Sequence, residues 1–428
     1  MWKTFLIVFS MGIGILSGAL ELYKEQIPWK VNYDEKRIPP YTLPEVLSDS
    51  ENRKISTVKA WEKRKKELLR LFEEKMYGKI PPRPDKVRYE LFSEKKNDLD
   101  GLALRREARL HFEMKDGKKH FMDVLMYIPQ KRKRKVPVFV SLIIMGNHSV
   151  INDPSIRQTG LNYDPTPAYR ERSAGYRGAY ARRFPLKEIM KRGYAVAFAA
   201  YHDVFPDRIT GWDLSIYRLF SNEKRPADAS AISAWAWGKS RILDYVSSFP
   251  EIDADKAAVV GHSRLGKTAL WAGVNDERFK VVCVNDSGCG GAALSRRLYG
   301  ETLFAMFHYS KVATYWFNDE MDQYCRHPEK LPFDQHCLLA LVAPRCLCIH
   351  SATEDLWADP KGEYLSLHHA GKVFELFGKE PLASAVQPPP DTPAGKDVCY
   401  LLRTGKHNIL LDDWRAYLDA ADGVFMPE

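Results

Sequence analysis

Three residue types needed for acyl chemistry at a serine occur in a usable order along this chain. Ser263 lies in Val259-Val260-Gly261-His262-Ser263-Arg264-Leu265-Gly266-Lys267, where an apolar, strand-like run meets a helix-like one. A serine hydroxyl is a weak nucleophile unless a tight strand-to-helix turn exposes it beside a base. Gly261 lets neighbouring backbone crowd that turn, and Gly266 lets the helix lie close on a sheet. The second glycine comes one residue later than in the general elbow pattern, with Leu265 in the usual place.

The base and its orienting acid should follow in the order serine, acid, histidine. His407, in Thr404-Gly405-Lys406-His407-Asn408, follows the final strand-like run, and of twelve histidines it has the place a base would take. Two acids are available. Asp355 follows the run over residues 345–351 and Asp286 the run over residues 281–285. Each could instead cap a turn or a helix. Asp355 is favoured because its strand immediately precedes the one that delivers His407. The Arg264 backbone N–H is the first oxyanion donor, and its guanidinium offers a second. A cation at a helix start opposes the helix dipole, which argues for a role beyond meeting solvent. Lys267, one turn beyond Ser263, could bind a substrate hydroxyl or carboxylate, or simply be solvated. His148 either lines a pocket or closes a turn.

Elements able to position these residues are legible in the patterning. An amphipathic helix is expected over residues 58–76, ending before Gly78 and Pro81-Pro82. Alternating segments over residues 87–92, 102–112 and 120–127 predict an antiparallel β start. Apolar runs over residues 136–145, 194–200, 257–261, 280–285, 345–351 and 398–402 then alternate with helical stretches, including residues 227–249. That alternation predicts a mostly parallel, doubly wound sheet with its site at the strand carboxyl ends. Residues 160–183 and 386–396 read as surface insertions, and residues 33–44 as an extended arm.

The 428 residues, 45% of them hydrophobic, suffice for a large core. A short basic start, an apolar middle and Ser17-Gly18-Ala19 mark residues 1–20 as a cleaved signal peptide. Residues 21–135 are then an arm, a helix and first strands packed on the same domain, and residues 136–428 the core. Net charge is +9, and its sharpest cluster, Lys131-Arg132-Lys133-Arg134-Lys135, reads as a solvated loop tip, because no nucleic-acid module accompanies it. Seven cysteines show no CxxC pair or zinc-ligand spacing and read as buried thiols, at least one of them free.

Four stretches together carry a family resemblance. Gly261-His262-Ser263-Arg264-Leu265-Gly266-Lys267, Asn285-Asp286-Ser287-Gly288-Cys289-Gly290-Gly291-Ala292-Ala293, Leu331-Pro332-Phe333-Asp334-Gln335-His336 and Ala343-Pro344-Arg345 resemble the glucuronoyl esterases, most of all the bacterial branch, over residues 136–428. The late Gly266 is a feature of that family. The resemblance implies an α/β-hydrolase, a three-layer sandwich, that cleaves esters of (4-O-methyl-)glucuronic acid on xylan, as in lignin–carbohydrate links. It implies Ser263 as nucleophile, His407 as base and Arg264 as oxyanion-stabilising arginine. Lys267, Glu301 and Trp357 fall where the family contacts the uronate sugar. Glu301 could otherwise cap a helix or pair with Arg296 or Arg297, and Trp357 could be core packing. Members carry a glutamate where this chain has the shorter Asp286, or an acid where Asp355 stands, which favours Asp355. Fungal members have a cysteine before the serine; here it is His262, so any disulfide made there is absent.

The expected protein is thus a periplasmic or secreted monomer acting on glucuronoxylan or a lignin–carbohydrate ester. No metal or organic cofactor, no nucleic acid and, once the leader is removed, no membrane is called for. Two other readings stay open: an acetyl xylan or other carbohydrate esterase using the same triad, and an inactive carbohydrate-binding protein on the hydrolase fold. Arg264 and Lys267 favour an acidic acyl group, and the complete set of triad residue types argues against inactivity.

Overall fold

A computed structural model describes residues 31–426, Pro165 excepted. The leader expected over residues 1–20 lies outside the described residues. The strands are β1 Lys86–Asn97, β2 Ala103–Glu113, β3 Lys119–Pro129, β4 Val136–Ile143, β5 Ala195–Ala200, β6 Ile252–His262, β7 Phe279–Asn285, β8 Cys346–Ala352 and β9 Val398–Arg403. They form one nine-stranded sheet in the order β1-β2-β3-β5-β4-β6-β7-β8-β9. Pairing is antiparallel from β1 through β3 and across β3 to β5. From β5 to β9 every pair is parallel. This is the mixed α/β-hydrolase sheet, with the antiparallel start that the alternating segments predict.

Burial explains which strands lie where. Every residue of β4 is buried, as a parallel strand covered on both faces requires. Its Val138, Val140 and Leu142 join one core, while Phe139 and Ile143 join the other. The longest helices are α1 Val58–Phe72, α2 Ala231–Val246, α3 Arg264–Asn275, α4 Pro360–Leu376 and α5 Leu411–Phe425. Residues of α1 to α4 share the first core, and α5 covers the opposite face through Trp414, Tyr417, Leu418 and Ala421. The edge strand β1 is mostly exposed and carries Lys86, Arg88, Lys95 and Lys96, which discourage pairing with another sheet. Helix α1 starts at Thr57, whose hydroxyl accepts from the Ala60 N–H, and buries Trp61, Leu68 and Phe72.

Two sequence readings are refined here. The 131–135 cluster is exposed and joins β3 to β4 at the start of the parallel strands, the edge opposite the turn at Ser263. Residues 160–183 are more than a surface insertion: Tyr169 and Ser173 are buried, and the Ser173 carbonyl lies 2.8 Å from His148 Nε2. His148 is itself fully buried and ties that segment down from beneath. No helix among the described residues is long and apolar enough to cross a membrane. All seven cysteines are free thiols, and six are buried.

Candidate active site

Because β6 to β9 run parallel, their carboxyl ends converge on one edge, and the loops that leave them hold Ser263, Asp286, Asp355 and His407. Ser263 stands between β6 and α3 with φ 59° and ψ −130°. For a residue with a side chain such a conformation costs about 1–3 kcal/mol. The surroundings impose it. A Cβ at Gly261 would lie 1.8 Å from the Leu265 carbonyl oxygen, and one at Gly266 would lie 2.9 Å from that of Asn285. The Ser263 N–H donates to the same Asn285 oxygen at 2.9 Å, tying the turn to the end of β7.

His407 meets the two candidate acids unequally. Its Nδ1 is 2.5 Å from Asp355 Oδ2 and 3.9 Å from Asp286 Oδ2. With Nδ1–H donating to Asp355, the Nε2 lone pair is left for proton transfer. Asp286 is buried at φ 43° and accepts the Asn408 N–H at 3.0 Å, one residue past the histidine. Burial, together with the charges of Asp355, Glu363 and Asp413, pushes its carboxyl well above the usual range. Its carboxyl holds the loop by accepting that N–H. Arg403 fixes the same loop by donating to the carbonyls of Thr404, Lys406 and Asn408 at 2.8–2.9 Å. Buried Asp413 holds Arg403 at 2.8 Å and also accepts from Asn285 Nδ2 at 3.2 Å. His262 completes the layer. Its Nδ1–H donates to Asn285 Oδ1 at 2.5 Å, its ring centroid is 4.4 Å from that of His407, and burial keeps it neutral.

The cation at the start of α3 has a partner that no local pattern announces. Asp207, in the loop after β5, accepts from Arg264 Nη1. The same carboxylate accepts from Tyr201 at 2.8 Å, Tyr315 at 3.0 Å and Trp316 Nε1 at 2.7 Å. The guanidinium lies 4.8 Å from the Trp316 ring centroid. Although burial opposes ionisation of Asp207, Arg264 beside it draws its carboxyl below the usual range. The unfavourable dipole position of Arg264 is thus offset by a buried counter-ion.

Lys267, 3% exposed, donates to the Ser287 carbonyl and lies 3.6 Å from Glu301 Oε2. The Glu301 N–H donates to the Trp357 carbonyl at 2.7 Å, so these three predicted sugar contacts are neighbours. Arg296 and Arg297 do not hold Glu301: Arg296 pairs with Asp334, and Arg297 with Asp359 and Glu35. Tyr33, from the N-terminal arm, joins this side of the site. Its hydroxyl is pushed up to about 12, first by burial and then by Tyr299, Asp355 and Glu301. Glu363 fixes the adjoining loop by accepting from the Ser287 and Gly288 N–H groups at 2.8 and 2.9 Å. Asp207, Tyr33 and Glu363 escape sequence reasoning because each meets its partner from a distant stretch of chain.

Among the described residues, three sets could converge on a metal ion: Cys346 with Cys348 and Cys399, His262 with Asp286 and His407, and His308 with Asp322 and Cys325. The second lies inside this site, but both of its histidine Nδ1 atoms already face protein acceptors, Asn285 and Asp355.

Comparison with known proteins places this geometry in context. A family model described as glucuronyl esterase, fungi, matches residues 193–378. The chain is 38% identical to the carbohydrate esterase MZ0003 of an unknown prokaryotic organism over 405 residues, 92% of each chain. A glucuronoyl esterase from Solibacter usitatus superposes with a TM-score of 0.83 at 37% identity, covering 92% of this chain and 100% of that one. A promiscuous CE15 esterase from a marine bacterial metagenome gives 0.82 at 37% identity, covering 92% and 99%. A 4-O-methyl-glucuronoyl methylesterase of Phanerochaete chrysosporium is 36% identical over 160 residues, 36% of this chain and 34% of its own.

Proposed function

The chain belongs to the glucuronoyl esterase family of carboxylic ester hydrolases, and from that premise we propose that it hydrolyses esters of (4-O-methyl-)glucuronic acid on xylan through an acyl-enzyme on Ser263. His407 Nε2 takes the Ser263 proton as the oxygen attacks the uronate carbonyl. Asp355 steadies the imidazolium that forms. The Arg264 N–H and guanidinium stabilise the oxyanion, and the alcohol leaves with the proton from His407. A water activated by the same ring then releases the free acid. Lys267 has three donors and two protein neighbours, Ser287 and Glu301, which leaves one for a sugar hydroxyl. Glu301 accepts from a second hydroxyl, and Trp357 offers a face to the ring.

The observation that carries this reading is the 2.5 Å contact between His407 and Asp355, on the edge where Ser263 is held in its strained turn. Two cations in the first turn after that serine suit an acyl group that leaves as a carboxylate. The basic, then apolar, then small-residue start of the chain supports export to the periplasm or medium. The test uses benzyl glucuronate and an acetylated xyloside side by side, with the parent and Ser263→Ala proteins. The parent should favour the glucuronate ester, and Ser263→Ala should lose about 10⁶-fold in kcat. Activity retained by Ser263→Ala, or a preference for acetyl, contradicts the proposal.

A further inference from the structure

On the face of the sheet that α5 covers, the last three strands carry a patch of cysteines. Cys283 on β7, Cys348 on β8 and Cys399 on β9 are direct neighbours in the strand registers. Cys346 precedes Cys348 by two residues, so all four project from one face of the sheet, the one that α5 covers. The sulfurs of Cys346, Cys348 and Cys399 all lie within 4.8 Å of one another, with Cys346 and Cys348 3.8 Å apart. Three thiolates held at about 2.3 Å by one ion stand about 4 Å apart, so this spacing needs little adjustment. The Lys396 carbonyl oxygen lies 3.0 Å from the Cys399 sulfur and 3.9 Å from that of Cys346, an oxygen donor beside two of the three.

Accessibility agrees with the geometry. Cys346 and Cys348 are buried, whereas Cys399 is half-buried and gives solvent a route to the group. Core filling accounts for a sealed thiol such as Cys283. It does not account for three sulfurs converging at the rim of the sheet.

We propose that Cys346, Cys348 and Cys399 bind one thiophilic d10 metal ion, Zn²⁺ or Cu⁺, at a site separate from the catalytic edge. Binding exchanges S–H bonds for metal–sulfur bonds, the displaced thiol protons pass to solvent, and no electron changes hands. The ion would tie β8 to β9, the strands whose far ends lead to Asp355 and His407.

The full chain, reduced and freed of metal, is titrated with Zn²⁺ and in a separate arm with Cu⁺, and Co²⁺ serves as the optical reporter. The expected result is one ion per chain by native mass spectrometry and a thiolate-to-cobalt charge-transfer band that Zn²⁺ displaces. Cys399→Ala, at the least buried ligand, should weaken binding by more than the about 10–100-fold lost with a supporting hydrogen bond. Cys337→Ala should bind as the parent does. Uptake of only one of the two ions supports the site and identifies its metal. No stoichiometric ion in the parent, or undiminished binding in both Cys399→Ala and Cys346→Ala, overturns the proposal.

Discussion

Asp355 and Asp286 both lie within 4 Å of His407 Nδ1, yet their surroundings assign them different work. Asp355 makes the direct contact, while Asp286 is driven towards its neutral form by burial and by three neighbouring carboxylates. Asp355→Asn should therefore lower kcat on a glucuronate ester by about 10⁴-fold. Asp286→Asn keeps an acceptor for the Asn408 N–H and should cost less than about fivefold, the loss that breaking one neutral hydrogen bond of about 1 kcal/mol would bring. Reversed losses would exchange the two roles. A second pair belongs to this scale. Arg264→Met should lower kcat by about 10²–10³-fold. Asp207→Asn, which removes the counter-ion that aims the guanidinium, should lower it less. If Asp207 acts only through Arg264, the double variant should be no slower than Arg264→Met alone, and additive losses would give Asp207 a role of its own.

Among elements, the turn from β6 into α3 depends on Gly261, where an added Cβ would fall 1.8 Å from a backbone oxygen that no rotamer can move. Gly261→Ala should cost about 3 kcal/mol or more in urea unfolding, and a loss near zero would mean that the turn relaxes. This turn and the strands were legible in the sequence because period-two patterning and a glycine beside a serine are local signals. Asp207 and Glu363 were not legible. What makes each matter is a contact made across the fold, and nothing near Asp207 in sequence points to Arg264. The same holds for Lys239 of α2, buried beneath the elbow strand with its Nζ 2.8 Å from the Val260 carbonyl oxygen. Burial lowers Lys239 to about 7 in the folded chain, against about 10.4 when unfolded. Between those values the unfolded chain binds the extra proton, so stability rises with pH and the penalty is fully developed below about 7. Lys239→Met leaves Ser141 Oγ donating to the Val260 oxygen at 3.2 Å. It should unfold later than the parent at pH 7, by at most about 4 kcal/mol, and the gap should shrink towards pH 10. A constant gap would remove the linkage.

For the whole molecule, the sheet order separates two features that the sequence could only name. The 131–135 cluster lies at the edge where the parallel strands begin, and the loops that carry the proposed triad lie at the edge where they end. Neutralising all five cluster residues should leave hydrolysis of a small glucuronate ester unchanged at low and high salt, and a salt-dependent fall would mean that the cluster steers substrate. That β3 joins β5, rather than β4, was not readable from patterning, because alternation predicts strands but not their neighbours. The one sheet then brings the loops after β6, β7, β8 and β9 to a single edge. The acylation of Ser263 proposed there is open to direct measurement. The parent protein, mixed with benzyl glucuronate, is quenched in acid within the first turnover and mapped by peptide mass. A glucuronoyl adduct on the peptide carrying Ser263, absent from Ser263→Ala, is the predicted result. Full turnover with no adduct at Ser263, or an adduct on another residue, would contradict the account.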